Sequence, residues 1–573
     1  MKACERDIAM TKEIKTTIQK IDIMPGQRVL VLSDIHGHFN RLVQLLKKME
    51  YDENDVLIIV GDLIEKGPES LRTVQYVMDL CRQHSVYVSM GNVDLTRLKF
   101  LFDDSSLAAE RFVKYLQSAG KDWDSSFCQE MLADLGFGIR QVTEENALEY
   151  MTKIRESFRE ELDFLWSRPT ILTAGKYLFV HGGVPTDDLA ALEGTDPFEY
   201  LKNDSFLSQG RRFENFTVVT GHWPTSLYRS DREDVSPLFD PERRIFCIDG
   251  GCGLKSAGQL NGIIIPDCRE ENSEISWVSY DDFPIVTALE TRQEVPATFH
   301  LEYFDSKVEL LEENGELGKI RHLSSGEIIE VPLKWLWQSK DVFHCNDYCN
   351  RVLPVEAGEQ LSLVYGTADS HYVKKQGQLG WYDGAFEPVE TRLELVQGSP
   401  VGGSWRRRRE LEVYELLDRL GIVFERVDHC EANTMETCSA IDEILNAVIC
   451  KNLFLCNQQR TKFYLLMMPG DKKFKTKELS KQINSSRLSF AEAIYMEQFL
   501  HISPGSVSVM GLMNDTENQV QLLIDKDVLK GEWFGCHPCM NTSSIRLRLA
   551  DLLDKFLPAV HHEPVFVDLA GDE

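Results

Sequence analysis

No run of about 18 apolar residues occurs in this 573-residue sequence, so no membrane span and no membrane partner are expected. The opening residues, MKACERDIAMTKEIKTTIQK, lack the apolar stretch of a secretory signal. The 14 cysteines show no disulfide-framework spacing, and reduced thiols in a cytoplasmic setting are the simplest reading. Positive charge is scarce: 62 Lys and Arg face 91 Asp and Glu, for a formal net charge of −29. A field of that sign excludes general affinity for DNA and confines any nucleic-acid contact to a local basic patch. No internal repeat is visible, which argues against a solenoid.

What is present is ample core material, with 43% hydrophobic residues and length for three or four domains. Residues 1–24 read as a short polar helix or tail. From Arg28 to Asp94, apolar strands (28–32, 55–60, 85–90) alternate with amphipathic helices (39–49, 68–84), the pattern of βαβ units and a largely parallel sheet. Residues 95–167 read as a helical insertion over one face. Strands return at 177–180, 217–220, 244–248 and 262–265. Short β-like runs between turns then suggest a small all-β module over 298–390, in which no chemistry is evident. GSPVGGS (398–404) reads as a linker, and 406–573 as a last domain opening on an amphipathic helix. The expected architecture is therefore multidomain α/β: an N-terminal domain over 1–285, the β-rich module, and a mixed α/β domain.

In the first domain each strand ends in polar residues. Ser33-Asp34-Ile35-His36-Gly37-His38 follows the first strand, Gly61-Asp62 the second and Gly91-Asn92-Val93-Asp94 the third. His181 and His222 stand at later strand ends. Ligands of an open α/β sheet bind outside the carboxyl ends of its strands, so these residues are expected to converge. Mixed carboxylate, amide and imidazole donors suit Mn, Fe or Zn, and one carboxylate, Asp62, could bridge two ions. Any one of these residues could equally be a turn former or cap. Six at ordered strand ends make that reading weak.

The blocks SDIHGH, GDLIEKG, GNVD, FVHGGVP, VVTGHWPT and CIDGGCG resemble the calcineurin-like metallophosphoesterases, in their phosphoprotein-phosphatase branch, over roughly residues 27–265. The resemblance implies a β-sandwich flanked by helices. It also implies two divalent ions, with Asp34 and His36 on one, Asp62 bridging, and Asn92, His181 and His222 on the other. The third block normally carries a histidine acting as general acid, but here that position is Val93, which carries no proton. Glu65, in the acidic position that would orient that histidine, lacks its partner. Lys66 replaces the usual arginine and Met90 another. Lys66 remains a catalytic candidate because lysine still meets phosphate as a point charge. General acid catalysis is worth about 10²–10⁴-fold, and poor leaving groups need it most. Metal binding is expected to persist while phosphoserine-type monoesters react weakly, which leaves phosphoanhydrides, nucleotides and aryl phosphates. His38 is open to two readings, substitute acid or helix cap.

In the last domain AVICKNLFL is an apolar strand interrupted by Lys451-Asn452. A lysine in such a run either snorkels at an edge or is held at a site. VICKNLFL, TKFYLLMM, SSRLSFA, SPGSVSVMGLMND, CHPCMNTSSIRL and HEPVFVDL together resemble the YbaK/prolyl-tRNA-editing family across about residues 406–570. That resemblance implies hydrolysis of an amino acid wrongly esterified to a tRNA acceptor end, in the branch that clears alanine from tRNA-Pro, with no cofactor. It places Lys451 and His537 in catalysis. Asn452, Gly505, Ser506, Gly511, Asn514 and Asp515 would line or shape the substrate pocket. The ester is already activated and water is the nucleophile, so a cation and backbone donors at the oxyanion suffice. Cys536-His537-Pro538-Cys539 has zinc-like spacing but no second CxxC, which disfavours zinc. Arg406–Arg409 and Lys472–Lys477 are the two basic tracts that could meet RNA.

The leading expectation is a hydrolase that deacylates mischarged tRNA, joined to a metallophosphoesterase of unknown substrate. Two alternatives stand beside it. One is a phosphatase-centred regulatory protein whose last domain only senses tRNA. The other is a deacylase fused to a catalytically impaired metallophosphoesterase.

Overall fold

The computed structural model describes residues 14–118, 125–270, 274–339, 342–366, 370–389, 395–397, 408–429, 441, 444–470, 472–502 and 505–570. The expected linker at 398–404 lies outside them. The chain forms two compact units that divide between Val389 and Glu390. Among the described residues no helix is long and apolar enough to cross a membrane.

The first unit begins with a sandwich of two sheets. In one, Val29–Leu32, Val56–Val60 and Val86–Ser89 run parallel, and Leu260–Ile265 and Ser276–Tyr280 extend it antiparallel. The central strands VLVL and VLIIV are apolar at every position and buried at every position, as strands covered on both faces must be. The other sheet is six-stranded and mixed, in the order Ile18–Ile21, Ile171–Ala174, Tyr177–Val180, Thr217–Thr220, Ile245–Cys247, Leu238–Asp240. Alternate residues of the two sheets, among them Val29, Val31, Ile58, Val60, Leu172, Phe179, Val219 and Ile263, meet in one apolar layer. Leu30, Leu57 and Ile59 face outward onto the helices Phe39–Lys48 and Ser70–Gln83 and onto the helices of 92–166, which form the expected insertion. Two expectations are corrected. Residues 18–21 are not a helix or tail but a strand, paired parallel with Ile171–Ala174. The sheets are mixed, because Leu260–Ile265 returns antiparallel against the first strand of the βαβ run.

The middle region, still within this unit, is all β apart from short 3-10 turns. One five-stranded sheet contains Ile285–Ala288, Gln360–Gly366, His371–Lys375, Gln378–Tyr382 and Phe386–Pro388. A second is built on the hairpin Lys307–Asn314/Leu317–His322. Both lean on loops of the sandwich domain. Lys374 donates to the Ala257 carbonyl at 2.9 Å and pairs with Asp281 at 2.7 Å. Lys255 pairs with Asp347. His300 meets the buried Glu233 at 3.2 Å.

The second unit is a mixed sheet. Its long strand Val448–Asn457 pairs antiparallel with Phe463–Pro469 and, through Val448 and Ile449 only, parallel with Trp533–Cys536. Leu488–Phe490 pairs with its far end at Leu455–Asn457. Among the described residues no strand pairs with 450–453 on that side, and the Ala491 N–H donates to the Phe454 carbonyl at 3.0 Å, so the sheet opens at 450–453. The two faces of the strand belong to different cores. Cys450, Phe454 and Cys456 pack with Phe463, Leu465, Met467 and Met510, whereas Leu453 and Leu455 pack with Leu466, Met468 and Leu479.

Candidate active sites

The first site forms at the carboxyl ends of the sandwich strands. Asp34, Asp62 and His181 are buried, and their donor atoms all lie within 4.8 Å of one another. His181 Nε2 is 3.3 Å from Asp62 Oδ2, 3.9 Å from Asp34 Oδ1 and 2.9 Å from Asn92 Oδ1. Its Nδ1 is 2.9 Å from the Val60 carbonyl, which turns Nε2 into the cluster. His36 is fixed in the same way, Nδ1 at 3.2 Å from the Ile64 carbonyl and Nε2 3.7 Å from Asp62. His222 is bound to Asp204 through Nε2 at 2.8 Å, leaving Nδ1 as its donor, while its backbone N–H donates to the Asp34 carboxylate at 3.1 Å. The structure thus brings all six expected ligands to one place.

The backbone there is strained. Asp34, His36, Asp62 and His222 have φ of 54°, 49°, 53° and 65°. Non-glycine residues avoid this left-handed region at a cost of about 1–3 kcal/mol each, and such strain clusters at functional sites. Glycines permit the crowding. A Cβ on Gly91 would stand 2.1 Å from Asp62 Oδ1, and one on Gly221 2.2 Å from Asp34 Oδ2.

Asp249, which is not among the expected ligands, follows the strand Ile245–Cys247. It is buried; Oδ1 accepts from the Gly251 N–H at 2.7 Å and Oδ2 has no hydrogen-bond partner. Burial and the neighbouring Asp34 push its carboxyl well above the usual range. Burial likewise raises Asp34 to about 6. Asp62 resists the same burial because the His181 imidazolium holds it low, and Asp62 and Asp34 lift His181 to about 10. Asp34, Asp62 and Asp249 are thus crowded together around His181 and the amine of Lys66. Lys66 Nζ lies 2.8 Å from His36 Nε2, and burial lowers its pKa against the pull of Asp62, Asp34 and Asp249. The oxygen and nitrogen donors, the orphaned Asp249 Oδ2 and the excess of buried negative charge fit divalent cations. The Lys66 ammonium shares the His36 nitrogen that a first ion would use.

Other expectations change. Glu65 does have a partner: it binds Arg97 Nε and Tyr115 Oη, both at 2.7 Å, and so ties the helical insertion to the strand-end loop. His38 occupies the N-cap position of its helix but makes no side-chain cap hydrogen bond. Its Nε2 is buried without a partner, and burial lowers it to about 4. Asp94 accepts the N–H groups of Asp62, Leu63 and Gly91 and so shapes two ligand loops. The Val93 N–H donates to Asp62 Oδ1 at 2.9 Å, and its side chain offers no proton.

The second site lies along Val448–Asn457. Lys451 lines a cavity of about 580 Å³ with Leu453, Phe474, Lys475, Lys477 and Phe490, and donates to the Gly470 carbonyl at 3.0 Å. Phe490 is 62% exposed, an unusual state for a phenylalanine beside three lysines. Asn452, the next residue, pairs with Met467 on the opposite face. Its Oδ1 is buried and unpartnered.

His537 ends the strand Trp533–Cys536, at the sheet opening. Its Nδ1 meets the Ser543 carbonyl at 2.9 Å and Ser544 Oγ at 3.2 Å; Ser544 in turn meets His429 Nε2 at 2.9 Å. Ser508 Oγ donates to the His537 carbonyl at 2.5 Å, docking the loop that carries Gly505 and the buried Ser506. The expected residues therefore fall into two groups, Lys451 with the lysine–phenylalanine cavity and His537 with the 505–508 loop.

Gly511, Asn514 and Asp515 serve the loop's shape. A Cβ on Gly511 would stand 2.4 Å from Ile502 Cδ1. Asn514 donates to the Leu500 carbonyl at 2.9 Å, and Asp515 accepts from Gln519 and Val520 and binds His562 at 3.0 Å. Cys536 and Cys539 are buried in the core, and burial raises both thiols. Of the basic tracts, Arg406 and Arg407 lie outside the described residues and Arg409 pairs with Glu497. Lys472 is held by Asp525 and Asp527 at 2.9 and 2.7 Å.

Comparison with known proteins bears on both sites. Residues 429–555 match the model of the aminoacyl-tRNA editing domain. The chain is 32% identical over 162 residues to prolyl-tRNA synthetase associated domain-containing protein 1 of Danio rerio, spanning 28% of this chain and 86% of that protein. The chain belongs to the aminoacyl-tRNA editing family. It is also 32% identical over 136 residues to the prolyl-tRNA editing protein ProX of Acetoanaerobium sticklandii, covering 24% of this chain and 83% of that one. Ahead of this editing domain stands a calcineurin-like phosphoesterase domain, whose family model matches residues 27–252. Within it, 65 residues are 45% identical to the symmetrical bis(5'-nucleosyl)-tetraphosphatase of Buchnera aphidicola, 11% of this chain and 23% of that protein. Both domains are of hydrolase families.

Proposed function

We propose that the editing domain hydrolyses Ala-tRNA(Pro), and that the phosphoesterase domain cleaves phosphoanhydrides with the help of divalent metal. The observation that carries the first reading is the Lys451 cavity. Lys451, Lys475 and Lys477 meet the phosphates of an acceptor end, and Phe474 and Phe490 offer ring faces to its unpaired bases. The Asn452 amide oxygen at the sheet opening is an acceptor for the α-amino group of the esterified residue. His537, whose pKa burial lowers, stays neutral and orients the 505–508 loop through its carbonyl. A local cationic pocket on a chain of net charge −29 suits a small, salt-sensitive contact with the acceptor end.

For the phosphoesterase domain, a metal pair held there would supply an activated water and neutralise phosphoryl oxygens. Asp34, His36 and Asp62 would hold one ion and Asp62, Asn92, His181 and His222 the other, with Asp249 adding negative charge behind them. The side chains do the rest. Lys66, whose Nζ lies 2.8 Å from His36 Nε2, would turn its ammonium to the phosphoryl group once an ion takes that nitrogen, and Asp94 holds the Asp62 loop still. No protonated side chain stands at Val93 to serve a poor leaving group. A phosphate leaving group needs none, which is why anhydrides rather than phosphoserine-type esters are the fitting substrates. The nucleotide specificity in the name of the Buchnera aphidicola relative points the same way.

The deciding experiment for the editing domain is release of labelled alanine from Ala-tRNA(Pro) by wild type and Lys451→Ala. Turnover by wild type with at least a hundredfold loss in the variant is expected. Equal turnover by both, or by neither, refutes the assignment.

A further inference from the structure

We propose that the middle β region completes the phosphoesterase site by supplying a platform for a nucleobase, so that the substrates are nucleoside polyphosphates. This rests on the phosphoanhydride reading above and names its substrate class.

The ligand His222 is followed at once by Trp223, their rings 6.3 Å apart. Trp223 stacks nearly parallel, at 14° and 5.7 Å, on Phe304 of the middle region. Phe304 is met edge-on by Tyr303 at 5.3 Å. Two ring-to-ring steps thus lead from a metal ligand to the outer face of the platform. Phe304 and Tyr303 are 66% and 57% exposed. A large apolar ring left in water on a short turn contributes nothing to the core, and beside a catalytic centre it is better explained by a ligand that stacks on it. Trp223 Nε1–H is buried with no acceptor, so the platform also carries an unused donor.

The polar groups beside the platform suggest the direction in which a nucleotide would lie. Beside the platform is a small cavity of about 110 Å³ whose lining includes Glu233, Glu302 and Asp347 with Arg229 and His300; His300 pairs with Glu233 and Lys255 with Asp347, which leaves Glu302 as its most open carboxylate. Glu302 there would accept from hydroxyls, as acidic residues do for ribose in dinucleotide sites. The sugar belongs at this acidic wall, the base on Phe304 and the phosphates toward Lys66 and the metal ligands. Base-free polyphosphates would forgo the platform altogether.

The test uses the full-length protein with Mn²⁺. It compares kcat/KM for ATP with kcat/KM for tripolyphosphate, which has the anhydrides without the base. Equilibrium binding of adenosine 5′-(β,γ-imido)triphosphate is measured in parallel. Phe304→Ala is expected to lower the ATP-to-tripolyphosphate ratio roughly tenfold or more, and to weaken binding of the imido analogue to match. Phe304→Tyr keeps a ring and is expected to restore most of both. An unchanged ratio and unchanged binding in Phe304→Ala, with an unaltered melting curve, would overturn the platform. So would a wild type that shows no preference for ATP over tripolyphosphate, even though the anhydride reading would then stand. Conversely, if neither compound is cleaved but the imido analogue binds and Phe304→Ala abolishes that binding, the platform stands and the reaction assignment falls.

Discussion

Replacing Gly221 by alanine changes no ligand, yet it is expected to disable the phosphoesterase centre. The added Cβ would stand 2.2 Å from Asp34 Oδ2 and 2.7 Å from Ser33 Oγ, where ordinary contact begins at 3.4 Å. Asp34 must therefore retreat by roughly 1 Å, a displacement that elsewhere costs about 10²-fold in rate. It has nowhere easy to go, because it is 1% exposed and its carboxylate already accepts the His222 N–H. Overpacking of this kind costs about 1–3 kcal/mol, enough to lower the melting temperature without unfolding a large unit. The assay is metal content by mass spectrometry after dialysis against Mn²⁺, with nucleotide turnover on the same samples. Loss of at least one equivalent of metal and about a hundredfold loss of turnover are expected, with alanine release by the editing domain unaffected. Full metal content and turnover within about threefold of wild type would refute the claim that strand-end glycines keep space for the ligands.

Asp249→Asn removes one of three clustered carboxylates. The metal-free protein should melt higher, while metal affinity measured by titration falls about 10–100-fold, as for other groups that support ligands from behind; unchanged affinity would make Asp249 a bystander. Val93→His restores a protonable side chain and should raise turnover of phosphoserine-type monoesters by about tenfold. The gain should fall short of the full general-acid effect of about 10²–10⁴-fold, because Glu65 is committed to Arg97 and Tyr115. No gain would remove the missing acid from the account. Gly511→Ala should destabilise the editing domain by about 1–3 kcal/mol in thermal or denaturant melts, since the new Cβ meets Ile502 Cδ1 at 2.4 Å; an unshifted midpoint would show that the loop relaxes freely.

The convergence of the six candidate ligands was legible because short wholly apolar strands announce themselves and their polar ends share one edge of a sheet. Asp249 sits in an equally plain position, but Asp-Gly-Gly reads as a turn, and only burial and the orphaned oxygen distinguish it. The true partners of Glu65 lie 32 and 50 positions away in the helical insertion, a distance that local periodicity does not report. The strand at 18–21 was missed for a related reason. Its pairing with Ile171–Ala174 is non-local, and a four-residue strand of mixed polarity leaves little pattern. The separation of Lys451 from Asn452, by contrast, was readable in principle, since consecutive residues of a strand point to opposite faces. In the middle region the strands were visible but the chemistry was not, because Tyr303 and Phe304 gain meaning only from the company of Trp223.

The strand Val29–Leu32 lies between Val56–Val60 and Leu260–Ile265. One of its edges stays bare until more than two hundred further residues have been made. Asp34 and His36, just beyond it, wait nearly as long for His222 and Asp249. Synthesis therefore passes through a long interval in which the first candidate ligands are displayed without the last. Cation capture should come late, once the returning strand has seated, and a chain halted before that point should have no stable hold on the ions.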